Sequence, residues 1–173
     1  MESKKVILHI RGIQFGASWD NEEENGAIET VTTGILRKIG AHPVGNRESV
    51  WNREREKAPD HDGSFDGYYV IRYEEIQEGF EQTSSVLLKA APGRLELTRK
   101  GLLNVRMEFA DGEFTQSDYR TPFGDILFGF LTRRVTVDEQ ADGIRICASY
   151  RLEMNGEYLA DSTIDISAEY TDN

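Results

Sequence analysis

Beyond residue 67 the chain is punctuated by glycine-ended dipeptides, Pro92-Gly93, Asp111-Gly112, Asp142-Gly143 and Asn155-Gly156, with the turn-forming run Thr121-Pro122-Phe123-Gly124 among them. Between these breaks the side chains alternate apolar and polar with a period of two. Asn-Gly and Asp-Gly between alternating hydrophobics are strong hairpin signals, because a type I′ turn needs φ > 0 at both central residues. Connections this short join antiparallel neighbours and leave no room for a crossover helix. A chain walking up and down in this way ends with two bare sheet edges unless it closes on itself. The expected fold is therefore all-β: one antiparallel up-and-down β-barrel of about ten strands over residues 1–173.

The alternation predicts strands at 4–15, 27–39, 68–75, 82–91, 94–100, 102–109, 113–120, 125–137, 144–154 and 157–170. Asp111-Gly112 reads as a type I′ hairpin loop between the sixth and seventh. Parity assigns the faces. Leu103, Val105, Met107 and Phe109 share one face of the sixth strand. Ile144, Ile146, Ala148, Tyr150, Leu152 and Met154 share one face of the ninth. Tyr158, Ala160, Ile164, Ile166 and Ala168 share one face of the tenth. The eighth strand breaks the rule: Ile126, Phe128, Phe130 and Thr132 lie on one parity, and Leu127, Gly129, Leu131 and Val135 on the other. An outer face of that composition needs cover, from the rest of the chain or from another subunit, with Leu127 and Leu131 as the contact residues of a homodimer.

Residues 40–66 interrupt the pattern as an insertion between the second and third strands. "NRESVWNREREKAPD" fits one or two helical turns, capped by Asn46 and ended by Pro59. Two readings of it stay open: a decorated loop whose Trp51 packs on the barrel end, or a lid over a barrel mouth.

Charge narrows the partners. With 31 acidic and 20 basic residues the formal net charge is −11, which disfavours nucleic acid and anionic membrane surfaces, since both are bound by clustered Lys and Arg. One cysteine, Cys147, allows no internal disulfide, and "MESKKVILHI" has no signal-peptide core; the cytoplasm is the expected compartment. No stretch approaches the ~18 apolar residues of a membrane helix.

Catalytic and metal signatures do not appear. His9, His42 and His61 are widely spaced and lack zinc-ligand spacing. "PDHDGSFDG" (Asp60, Asp62, Asp66) lacks the terminal bidentate Glu of a calcium loop. Neither a Gly-x-Ser-x-Gly elbow nor a phosphate-binding glycine loop is present. The expectation is no cofactor, no metal and no catalytic residue.

The run "ELTRKGLLNVRMEFADG", followed by "YRTPFGDI" and "LTRRV", resembles the YwiB-like family. Its pattern falls here on Arg99, Gly101, Phe109, Tyr119, Thr121, Gly124 and Thr132, with "TTG" at Thr32 to Gly34 and "RYEE" ending at Glu75. The likeness covers roughly 4–39 and 67–171, and the 40–66 insertion departs from it. The resemblance implies a calycin-like barrel, related in architecture to lipocalins, and no particular activity.

What remains is the set of polar residues on the inward parity. Arg99 follows Leu95 and Leu97 inward; Tyr73 and Glu75 share a parity; Tyr119, Thr121 and Thr132 surround one turn. A buried guanidinium must be paired, and Glu75 or Glu29 is the expected counter-charge. Calycin-type barrels often close one end with an arginine, so Arg99 has a structural reading. Its functional reading is an anion anchor at the barrel mouth, with Tyr69, Phe109, Phe128, Phe130 and Tyr150 holding the apolar body of a small hydrophobic or amphipathic ligand.

Overall fold

The computed structural model describes residues 2–12, 29–40, 67–76, 82–101 and 104–171. All ten expected strands are present: β1 (Ser3–Arg11), β2 (Glu29–Gly40), β3 (Gly67–Ile76), β4 (Thr83–Ala91), β5 (Arg94–Lys100), β6 (Val105–Ala110), β7 (Phe114–Thr121), β8 (Gly124–Gln140), β9 (Gly143–Met154) and β10 (Glu157–Tyr170). They form one antiparallel sheet in the order β6-β5-β4-β3-β2-β1-β10-β9-β8-β7. The helix expected around Trp51, and the lid reading that depends on it, lie outside the described residues.

The sheet curls into a nearly closed barrel, and closure occurs where the sequence does not announce it. The first and last strands make a full ladder, from Val6 opposite Tyr170 to Arg11 opposite Asp165. The two edges are instead β6 and β7, consecutive in the chain but not joined by a ladder. Two side chains bridge them: the Thr115 hydroxyl donates to the Glu108 carbonyl, and the Ser117 hydroxyl to the Arg106 carbonyl.

The expected type I′ hairpin at Asp111-Gly112 is therefore corrected. Only Gly112 has positive φ, +72°, and the turn closes through Glu113 N–H to Ala110 O at 3.0 Å. Its groups are drawn to β8 instead. Gly112 N–H donates to Thr132 O (2.9 Å), Thr132 N–H donates to Glu113 O (3.1 Å) and Val135 N–H donates to Asp111 Oδ1 (2.6 Å). The turn with φ > 0 at both central residues is Asn155-Gly156, at +49° and +83°.

Two bulges correct the parity reading. The β8–β9 register shifts between Thr132 and Arg134, so Val135, on the outward count, is buried in the core. The β9–β10 register shifts between Tyr158 and Ala160. Tyr158 is thereby turned outward and is 54% exposed, with the Arg151 guanidinium 4.5 Å above its ring. An extra residue in one strand reverses every face assignment beyond it.

The lumen is filled. Val6, Leu8, Leu88, Leu95, Leu97, Ile146 and Ile166 are fully buried. Phe109 packs at 5.0 Å from Phe130 and 4.8 Å from Tyr150, and Phe130 at 5.7 Å from Tyr150. Interiors packed in this way leave few voids larger than a water molecule.

The side-chain bridges make β6–β7 the weakest join of the wall. Thr115→Val and Ser117→Ala each leave a carbonyl unpaired and should lower stability by about 1 kcal/mol in urea unfolding. Native-state hydrogen exchange should speed up first at the Met107 and Phe109 amides, which face β5; unchanged exchange there would mean that the hydroxyls do not hold the seam.

Candidate functional site

β5 delivers Arg99 to one barrel end at its penultimate residue, and β3 delivers Tyr73 and Glu75 to the same end. The Arg99 side chain has no exposure; that of Glu75 is 19% exposed, and the two meet at 3.3 Å from Nη2 to Oε2. Nη2 also donates to Ser84 Oγ at 3.4 Å, and the Tyr73 hydroxyl donates to Glu75 Oε1 at 3.3 Å. Of the two carboxylates expected as counter-charge, Glu75 is the one the fold supplies; Glu29 lies 3.8 Å from Arg11.

The electrostatics follow from that arrangement. Burial, reinforced by the adjacent Glu75 carboxylate, holds the Tyr73 phenol far above its ordinary value, and Arg99 opposes this only in part. Burial also raises Tyr119, again with Arg99 opposing. Both phenols stay neutral donors, and neither is poised as a base near neutral pH. Gly101 completes the cluster by close approach: a Cβ there would lie 2.4 Å from Ser84 Oγ.

The other expected residues divide. Thr121 serves its own turn, donating to Gly124 O at 2.7 Å and accepting from Phe123 N–H at 3.2 Å. Thr132 sits opposite Tyr150 in the β8–β9 register, buried, with its hydroxyl lacking a hydrogen-bond partner among the described residues. Tyr150 belongs to the aromatic packing of the lumen, and burial raises its phenol to about 12. Tyr73, Glu75, Arg99 and Tyr119 therefore gather, while Thr121, Thr132 and Tyr150 serve elsewhere. Sequence reasoning missed Ser84, although its parity with Val86 and Leu88 places it inward.

On the outer wall, Leu127 is half-buried and Leu131 is 39% exposed beside Phe114, which is 49% exposed. The Phe114 ring lies over Gly129, where a Cβ would meet its Cζ at 2.7 Å. Cover of the apolar face of β8 is thus partly internal. Cys147 is half-buried on the outward parity of β9, and burial followed by the nearby Asp165 raises its thiol, which opposes thiolate formation. Among the described residues no His, Cys, Asp and Glu cluster could hold a metal ion.

A second polar group lies on the long end of β8. Glu139 Oε2 accepts from Lys38 Nζ at 2.8 Å and from the Tyr69 hydroxyl at 2.6 Å, tying β8 to β2 and β3. The bonds from Lys38 and Tyr69 hold the Glu139 carboxyl below its usual range. The two-pronged bond from Arg145 does the same for Asp165.

Glu75→Gln leaves a buried guanidinium without its carboxylate and should cost about 3 kcal/mol of unfolding free energy. Arg99→Met in the same chain should recover most of that loss, and a strictly additive double-mutant cycle would contradict the pairing. Glu139 and Asp165 titrate lower folded than unfolded. Their stabilisation is therefore in place above the ordinary carboxylate range near about pH 4 and is lost as pH falls through it. Thermal unfolding should fall less steeply with acid in Glu139→Gln.

A search of the curated proteins gives no match. Among solved structures the chain is similar to the ywiB protein from Bacillus subtilis, known from a crystal structure, at 16% sequence identity and a TM-score of 0.64 over 98% of this chain and 94% of that one. At that identity the likeness establishes the barrel fold. The family model described as "Domain of unknown function (DUF1934)" matches residues 51–166, more than half of the chain, and it includes the strands that carry Tyr73, Glu75, Arg99 and Tyr119. The protein belongs to this family.

Proposed function

We propose that this chain is a non-catalytic interaction module that works through the outer wall of its barrel and pairs with a second copy through β8. The observation that carries the reading is the contrast between a filled lumen and the adjacent, exposed Phe114 and Leu131, which face each other across β7 and β8 on the outer wall. Exposed apolar side chains that cluster on one face favour a partner. The rim favours a second copy as that partner. Asp118 lies opposite Leu127, Arg120 opposite Asp125, Arg151 opposite Leu131 and Glu153 opposite Gly129. A patch flanked by both signs can pair with itself about a two-fold axis, each cation meeting an anion of the other copy.

The ligand reading of the barrel end draws support from Glu75, which reaches solvent while tied to Arg99 and Tyr73. A ligand there meets a carboxylate first, and an anion would have to displace Glu75 from Arg99. That geometry suits a hydrogen-bond donor or a cation at the mouth better than the anion expected from the sequence. Aromatic packing in the lumen leaves the mouth, not the interior, as the place for it.

Native mass spectrometry and sedimentation separate the two. The β8 reading expects a dimer that Leu127→Lys/Leu131→Lys converts to a folded monomer; a monomeric parent chain, or a dimer that survives both changes, defeats it. A mass excess lost on denaturation, and weakened by Glu75→Gln, would favour the mouth.

A further inference from the structure

On the outer face of β2, β3 and β4 the register brings three cations around an apolar floor. Arg37 lies opposite Val70, and Val70 opposite Lys89; one step along, Ile35 lies opposite Arg72, and Arg72 opposite Leu87. The surface is concave there, a groove of about 350 Å³. Val70 points outward by parity and yet is only 8% exposed, so the floor of the groove is sheltered from water.

Among the described residues none of Arg37, Arg72 and Lys89 forms an ion pair. Arg37 Nε donates to Ser3 Oγ at 2.8 Å, a neutral partner. Glu96, opposite Lys89 in the β4–β5 register, is engaged by Arg106 at 3.5 Å. The chain carries eleven more acidic than basic side chains, 31 against 20, and places ion pairs at Arg11, Lys38, Arg94, Arg99, Arg106, Arg133 and Arg145. Among the described residues these three cations are diagonal neighbours across β2, β3 and β4 with no ion pair between them and a carboxylate, and diagonal side chains of this length are within reach of one another.

We infer that this groove is a binding site for a small amphipathic anion, a carboxylate or phosphate monoester head on a short apolar body. The head meets Arg37, Arg72 and Lys89, and guanidinium forks suit both head groups. The body lies on Ile35, Val70 and Leu87. The volume is at the lower end of small-molecule sites, which limits the body to a short chain or a single ring. The site is separate from the β8 face and from Glu75, and it stands or falls independently of the self-pairing proposed above.

The test is a titration of the intact, isotope-labelled protein followed through its backbone amides. Octanoate and octyl phosphate are the probes; octanol supplies the body without the head, and inorganic phosphate the head without the body. Both amphiphiles should give saturable shifts centred on Val70, Arg72 and Leu87, and each control should bind more weakly. Arg72→Gln/Lys89→Gln, at an exposed and a half-buried outward position, should keep the thermal midpoint of the parent and weaken both amphiphiles roughly tenfold or more. The inference is overturned if neither amphiphile saturates, if octanol binds as well as octanoate, or if the double variant binds undiminished. Shifts centred on Glu75 and Arg99 would move the ligand to the mouth and equally overturn the groove.

Discussion

The barrel depends on how β8 crosses the gap between β6 and β7. A sheet of ten strands has two edges, and backbone groups left unpaired at an edge are costly when buried and sticky when exposed. Here the edges are consecutive strands joined by the tight Asp111-Gly112 turn. β8 runs past the end of β7, bulges at Thr132–Arg134 and lays its second half against the Asp111-Gly112 and Pro92-Gly93 turns. Gly93 N–H donates to Val135 O at 3.0 Å while Val135 N–H donates to Asp111 Oδ1 at 2.6 Å, so one residue of β8 holds two turns. Glu139 then fastens the end of the strand to β2 and β3.

That closure shapes what the molecule can do. It draws β6, β8 and β9 close enough for Phe109, Phe130 and Tyr150 to interlock across the lumen, so the interior is core. It leaves Arg99 at the barrel end with Glu75 and Ser84 as internal partners. A buried ion pair of this kind adds little to stability over a hydrophobic substitute, but its halves cannot be separated cheaply. The outer wall carries the exposed Phe114 and Leu131, and Arg37, Arg72 and Lys89 lie around the β2–β4 groove.

The candidate site was legible wherever alternation ran unbroken. Arg99 shares its parity with Leu95 and Leu97, so its burial follows from counting, and Glu75 follows from Tyr73 in the same way. Ser84 was equally readable from Val86 and Leu88. Tyr158 and Val135 were not, because each is separated from the rest of its strand by a bulge, and a bulge is an event of pairing between strands that leaves no mark on the strand's own composition. The cationic groove was hidden for a related reason: Arg37, Arg72 and Lys89 lie on three different strands, and only the register makes them neighbours.

Sequence alone determined the all-β class, the number of strands, most of their bounds and the inward direction of Arg99, because period-two patterning and Gly-ended turns are local and act within a few residues. Tertiary structure decided where the barrel closes, which carboxylate meets Arg99, that the lumen is filled and that Arg37, Arg72 and Lys89 become neighbours. Each of these depends on pairing between residues far apart in the chain, and a hydrogen-bonding group in a strand goes to whichever partner the closed sheet brings within reach. Asp111 shows the difference: its dipeptide predicts a hairpin, and the fold gives its carboxylate to Val135 of β8.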